Sequence, residues 1–224
     1  MNIKSCLVYV TISLNILFLV IFCYMLSNYH VPAKILKKYF GVKSLLPAPK
    51  KYMVMTGDAL INNKWNKLLS RDDILFVGSR GGSIDIVNKH LNDIIRSKPE
   101  ICIITANGFD IYLGDQPELV FEKYKYVIEQ LRNNGATIIV QSALTAVPDK
   151  FDMDEYAVRV IKFNNILKEY CTANLINYIE LNDILSKNYH YNSEYSERKG
   201  AFPNKIGYEL WSKKLLEVLG SIGK

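Results

Sequence analysis

Four apolar runs of strand length punctuate the chain after residue 50: KYMVMT (51–56), DILFVG (73–78), EICIITA (100–106) and ATIIVQSA (136–143). Each is a continuous apolar stretch rather than an apolar–polar alternation, the pattern of strands covered on both faces, as in a parallel sheet. Between and after them, apolar positions recur at helical spacing. This predicts helices near 62–70, 84–97, 117–133 and 153–171, a short apolar segment NLINYIEL (174–181), and a final helix near 205–220. Strand–helix alternation with right-handed crossovers predicts an α/β fold: a doubly wound, flavodoxin-like three-layer sandwich around a four- to five-stranded parallel sheet.

Upstream of residue 50 the pattern changes. Residues 6–25, CLVYVTISLNILFLVIFCYM, carry no charge over twenty positions. As a helix they would span about 30 Å, the thickness of a bilayer's hydrocarbon core. The run exceeds the apolar core of a signal peptide, and no small-x-small cleavage site follows at LSNYHVPA. The expected organisation is therefore an uncleaved single-pass membrane anchor (1–27), a basic juxtamembrane linker (28–49) and one α/β domain (50–224).

Composition supports that division. With 224 residues, 49% of them apolar and 22% charged, the chain has room for one full-sized domain plus an appendage, and it is neither disordered nor a disulfide scaffold. The net charge of +6 comes from residues 1–51, which hold seven lysines and no acid; the remainder has 21 bases against 22 acids, a net charge of −1. A nucleic-acid footprint on the body is thereby excluded. Lys34, Lys37, Lys38 and Lys43 follow the apolar segment while Lys4 precedes it, a bias that favours a cytoplasmic body. VPAKILKKYF reads equally as a basic amphipathic helix on lipid headgroups and as a solvated linker. Cys6 and Cys23 lie in the apolar segment, leaving Cys102 and Cys171 for the body, and no disulfide framework is indicated.

In a doubly wound sheet ligands sit outside the carboxyl ends of the strands. The residues there are Thr56-Gly57-Asp58-Ala59, Gly78-Ser79-Arg80-Gly81-Gly82, Asn107-Gly108-Phe109-Asp110 and Ser142-Ala143-Leu144. Taken with the C-terminal block Lys199-Gly200-Ala201-Phe202-Pro203-Asn204-Lys205-Ile206-Gly207-Tyr208-Glu209-Leu210-Trp211, they make residues 50–220 resemble the SGNH (GDSL-type) hydrolase superfamily, in particular its bacterial acetylhydrolase-like branch. The resemblance implies that fold and an ancestry in acyl or acetyl ester cleavage, often on carbohydrates or lipids.

Residue by residue, it implies framework where this chain matches and lost chemistry where it departs. The GDS motif reads Gly57-Asp58-Ala59, so the serine nucleophile is an alanine. The second block matches at Arg80, Gly81 and Asp85, and Gly81 is the expected oxyanion-hole amide. Counted without a gap from Lys98-Pro99, the GxND block falls on Asn107–Asp110 and puts Phe109 at the oxyanion-hole asparagine. A shift of two residues would put Asn107 there but lose Asp110. The DGxHxN block keeps Gly200, Asn204, Gly207, Tyr208 and Trp211 but carries Lys199 for the acid and Phe202 for the base.

An alanine methyl cannot attack a carbonyl, and neither Phe202 nor Lys199 replaces an imidazole oriented by a carboxylate. The expectation is a degenerate catalytic site whose fold serves binding, in a pocket formed by Asp58, Ala59, Arg80, Gly81, Gly82, Asn107, Phe109, Phe202 and Asn204. Phe109 and Phe202 would converge near Ala59, and Lys199 would add an anion contact. An acylated glycan, a lipid headgroup or a protein partner is the expected ligand, and the family's anchored members place the body on the extracytoplasmic side.

The alternative is an active esterase or acyltransferase with a relocated nucleophile, for which Ser79, Ser83, Ser142, Cys102, His90 and His190 are the candidates. Each also has a structural reading: turn or helix cap for Ser79 and Ser83, a buried strand for Cys102, exposed surface for His90 and His190. The GSRGG loop lacks dinucleotide-binding spacing, and no HxH, CxxC or HExxH motif occurs, so neither cofactor nor metal is expected. The tyrosine-rich 189–195 segment could stack on sugars or simply be surface loop.

Overall fold

The computed structural model describes residues 52–58, 60–78, 83–145, 153–187, 190–192, 194–197 and 202–222. The expected anchor and linker lie outside the described residues, among which no helix is long and apolar enough to cross a membrane. Residues Pro49–Lys224 form a compact unit of their own.

Five strands, β1 (Met53–Gly57), β2 (Ile74–Gly78), β3 (Ile101–Thr105), β4 (Thr137–Gln141) and β5 (Asn177–Ile179), form a parallel sheet of order β2-β1-β3-β4-β5. Both of its faces are covered, which is why the strands read as continuous apolar runs. On one face, Val54, Cys102, Ile104, Ile138 and Val140 pack against helices α2 (Ile84–Arg96), α4 (Pro117–Asn133) and α5 (Met153–Ala173). On the other, Met53, Met55, Ile103 and Ile139 meet α1 (Lys64–Leu68) and α7 (Lys205–Ile222). There Trp65 and Trp211, both fully buried, cross edge to face with ring centroids 4.9 Å apart. Such pairs add to the burial energy of their large apolar area.

The helices and the first four strands fall within two or three residues of expectation. The segment 174–181 is mostly not strand. Leu175 takes a left-handed φ of 56° where the chain leaves α5, and the Ile176 amide donates back to Cys171 at 2.9 Å, which leaves only Asn177–Ile179 to pair with β4. Beyond β5 lie the short helix α6 (Asn182–Leu185) and two small antiparallel pairs. One joins β6 (Ser186–Lys187) to β7 (His190–Tyr191), the other β8 (Ser196–Glu197) to β9 (Phe202–Pro203). Two-residue ladders carry too little periodicity to be read from sequence.

The sheet order places its topological switch between β1 and β3, which pair directly and lead to opposite neighbours. At that point Gly57 adopts φ +107°, and a Cβ there would overlap the carbonyl oxygen of Thr105 on β3. The glycine thus lets the chain bend over the end of the neighbouring strand, where the Asp58 amide donates to that same carbonyl at 3.2 Å. Gly57→Ala is expected to destabilise the protein by roughly 2–3 kcal/mol, measured as a lower urea midpoint with an unchanged slope.

Candidate active site

The loops leaving β1 and β3 meet at the switch point through two side chains. Asp58 Oδ1 accepts the Leu60 amide at 2.7 Å, a local turn that sends the chain toward α1. Its Oδ2 accepts from Asn107 Nδ2 at 2.6 Å. Asn107 is held at two further points: its Oδ1 accepts the Phe109 amide at 2.6 Å, and its own amide donates to the Tyr124 hydroxyl at 2.9 Å. The carboxamide therefore has one orientation.

The gap-free count along the GxND block expects Phe109 at the asparagine position, and the structure sets Asn107 beside Asp58. The carboxamide beside Asp58 belongs to Asn107; Phe109 opens the short helix α3 (Phe109–Tyr112) and stacks its ring on Tyr112 with centroids 6.2 Å apart. The reason is local. The chain turns as soon as it leaves β3 at Thr105, so a residue two positions after the strand can reach the β1 loop, whereas by Phe109 it is already helical. Asp110, whose match had favoured the other register, is buried and accepts the Ile84 amide at 3.1 Å, tying α3 to the start of α2.

Withdrawal from water dominates the electrostatics. Burial pushes the half-buried Asp58 carboxyl up to about 6, partly opposed by the hydrogen bond from the Leu60 amide. Burial also raises the phenols of Tyr124, Tyr156 and Tyr208, and the charge of Asp58 adds to the effect on all three. These tyrosines stay protonated at neutral pH, and each lies within electrostatic reach of the Asp58 carboxylate. Tyr156 from α5 sets its ring edge to face with Tyr112 at 6.3 Å, so that Phe109, Tyr112 and Tyr156 form an aromatic wall.

The C-terminal block has its framework in place. Asn204 caps α7 by accepting the Gly207 amide at 3.0 Å, and its Nδ2 donates to the Glu194 carbonyl at 2.8 Å. A Cβ on Gly207 would overlap the Tyr195 carbonyl oxygen, so this glycine sets how closely the helix approaches the β8–β9 pair. Phe202 lies on β9 with 38% of its surface exposed. Ala59, Arg80, Gly81, Gly82 and Lys199 lie outside the described residues, and with Ala59 the expected convergence of the two phenylalanines on it. Of the expected pocket, the structure brings Asp58 and Asn107 into contact.

Most of the alternative nucleophiles and bases have structural partners. Ser83 caps α2, its Oγ accepting the Asp85 amide at 3.2 Å. Ser142 is fully buried, donates to Glu180 Oε1 at 2.6 Å and accepts the Leu181 amide at 2.8 Å, pinning the end of β4 to the turn after β5. Cys102 sits in the core, where burial pushes its thiol up to about 12, far from the thiolate form. His90 is exposed on α2 beside Asp93 at 3.8 Å, His190 belongs to β7, and Ser79 lies outside the described residues. Tyr124 and Tyr156 were not singled out from the sequence, because at helical spacing they are indistinguishable from core aromatics.

The Asp58 shift sets a pH dependence. Between about pH 4, the ordinary carboxylate value, and about pH 6, the folded state holds the Asp58 proton more tightly than the unfolded chain does. Its contribution to stability is therefore lost as pH rises through that window and stays lost above it. The unfolding free energy of wild type minus that of Asp58→Asn is expected to fall by on the order of 2–3 kcal/mol from pH 4 to pH 7, as measured by urea titration at each pH.

Similar structures share this architecture at low sequence identity. A GDSL-like lipase of Bacteroides thetaiotaomicron VPI-5482 superposes with a TM-score of 0.67 at 16% identity, covering 76% of this chain and 88% of its own. A proposed acylhydrolase of Bacteroides fragilis NCTC 9343 gives 0.70 at 18% identity over 80% and 93%. The lipase/acylhydrolase of Enterococcus faecalis gives 0.63 at 16% over 75% and 95%. No curated protein matches the chain in sequence. The profile of the GDSL-like lipase/acylhydrolase family matches residues 54–210, spanning both loops of the switch point and the capped start of α7. With its five-stranded parallel sheet, its Asp58–Asn107 contact and that match, the chain belongs to the GDSL-like lipase/acylhydrolase family, within the SGNH hydrolase superfamily.

Proposed function

We propose that the protein is a membrane-anchored, catalytically degenerate member of this family that binds an acylated ligand instead of cleaving it. The observation that carries the reading is the contrast between the Asp58–Asn107 hydrogen bond, retained at 2.6 Å, and the replacement of the triad positions by Ala59, Lys199 and Phe202. The Asn204 cap and the close approach of Gly207 support the register that puts Phe202 at the position of the base. Loss of nucleophile or base in a serine hydrolase costs on the order of 10⁶ in turnover, and losing the rest of the triad adds little. What such a site retains is hydrogen-bond donation to a carbonyl, which is binding chemistry. An acylated glycan is the ligand this lineage favours; a lipid headgroup or a protein partner presenting an acyl group would use the same donors. Anchored relatives favour an extracytoplasmic body over the cytoplasmic one that the lysine bias favours.

Two measurements test the reading. Intact-mass analysis of the full chain after exposure to a fluorophosphonate is expected to show no adduct, beside a labelled active family member. An adduct mapped to Ser79, Ser83 or Ser142 would establish a relocated nucleophile instead. A reporter that works only in the cytoplasm, fused after Lys224, is expected to be silent, and activity would reverse the sidedness.

A further inference from the structure

Gly108 calls for an explanation that its backbone does not supply. Its φ of −81° and ψ of 0° are open to any residue, unlike those of Gly57. What a side chain here would meet is a neighbour: a Cβ at this position would overlap the Tyr156 hydroxyl, which would have to move aside. The absent side chain thus lets the phenol oxygen of an α5 tyrosine rest on the turn that carries Asn107.

That hydroxyl makes no hydrogen bond among the described residues, and it is not a sealed orphan. The fully buried polar atoms without partners there are Asn66 Oδ1, Gln141 Nε2 and Trp211 Nε1. Asn107, one residue before Gly108, has committed its oxygen to Phe109 and one amide hydrogen to Asp58, while its second amide hydrogen has no acceptor among the described residues. Two donors therefore lie at one turn at the carboxyl end of the sheet, one on Asn107 and one resting on Gly108.

Their surroundings select the ligand. Asp58 lies near enough to act on the phenols of Tyr124 and Tyr156, and Asp110 on that of Tyr124. A neutral acceptor satisfies both donors without adding a further negative charge beside these carboxylates. Burial keeps the Tyr156 phenol protonated through the physiological range. Tyr112, edge to face with Tyr156, and Phe109, stacked on Tyr112, add apolar ring surface beside the donors.

We propose that the Tyr156 hydroxyl is a ligand-binding group of this site that, together with the second Asn107 amide hydrogen, holds the carbonyl oxygen of an uncharged acyl group. The inference rests on the acyl-ligand reading above and adds a residue outside the family motifs. The acyl group can be carried by a sugar or by a glycerolipid, since the carbonyl chemistry is shared.

Titration of the full-length protein in detergent micelles, followed by NMR, tests this with three probes: methyl tetra-O-acetyl-glucopyranoside, dibutyrylglycerol and unacylated methyl glucopyranoside. Wild type is expected to bind at least one acylated probe and to prefer it to methyl glucopyranoside; the tighter acylated probe identifies the carrier. Tyr156→Phe keeps the ring and removes the hydroxyl, so it should weaken the acylated probe roughly five- to tenfold, the worth of one hydrogen bond, at an unchanged melting temperature. Gly108→Ala, which displaces the phenol, should weaken it at least as much. Equal affinity of Tyr156→Phe and wild type would overturn the role of Tyr156 and leave the acyl pocket standing. Binding of methyl glucopyranoside as tight as that of the acylated probes would overturn the ligand class. If wild type binds neither acylated probe, the acyl-ligand reading falls, and this inference with it.

Discussion

A carboxylate drawn away from water has to be held by hydrogen bonds, and in this protein that requirement ties together the two loops that make the site. Asp58 accepts from Leu60 on its own loop and from Asn107 on the loop after β3. The contact is possible because β1 and β3 are adjacent in register and because Gly57 folds the chain over the end of β3. From it follow the fixed carboxamide of Asn107, the start of α3 at Phe109, and the turn at Gly108 on which Tyr156 rests. The remaining partial desolvation of Asp58 is the standing cost of the arrangement.

The same contact belongs to a framework that is separate from the positions at which this family carries its reactive groups. The nucleophile and base of a serine hydrolase make few packing contacts of their own; they are displayed by glycines, caps and buried aromatics that the fold needs in any case. Here Trp65 and Trp211 hold α1 and α7 against the sheet, and Asn204 and Gly207 seat the start of α7. Those groups do not depend on which reactive side chains the neighbouring loops carry. Framework and chemistry are separable because they use different atoms.

Polar residues that look reactive in the sequence largely serve that framework. Ser142 and Glu180 form a short hydrogen bond of the kind a nucleophile and base share, yet the serine oxygen also accepts the Leu181 amide in a fully buried position. Asn182 extends the same network to the Ala143 carbonyl and the Thr145 amide, and Asn164 brackets Ala143 through both its amide and its carbonyl. Buried backbone groups beyond the ends of β4 and β5 are satisfied this way, since no further strand among the described residues pairs with them.

How much was legible in the sequence follows from the range of the forces involved. Parallel strands buried on both faces and amphipathic helices leave periodic apolar signatures, so the α/β architecture and the limits of α4 could be read directly, and those of β1 to β4 to within two residues. The glycine- and asparagine-marked strand ends also pointed to the two loops that meet through Asp58 and Asn107. Which asparagine or phenylalanine faces Asp58 could not be read, because spacing alone does not say where the chain turns out of β3 and into α3. Nor could the roles of Tyr124 and Tyr156, which stand at core-like positions on their helices and matter only through what the tertiary fold sets beside them. The sequence by itself determined the covered sheet and the residue types at the strand ends, since both depend on residue type and order. Only the tertiary structure decided that Asn107 faces Asp58 and that a phenol lies over Gly108, since these contacts join residues tens of positions apart and depend on how α5 and the β3 loop pack against each other.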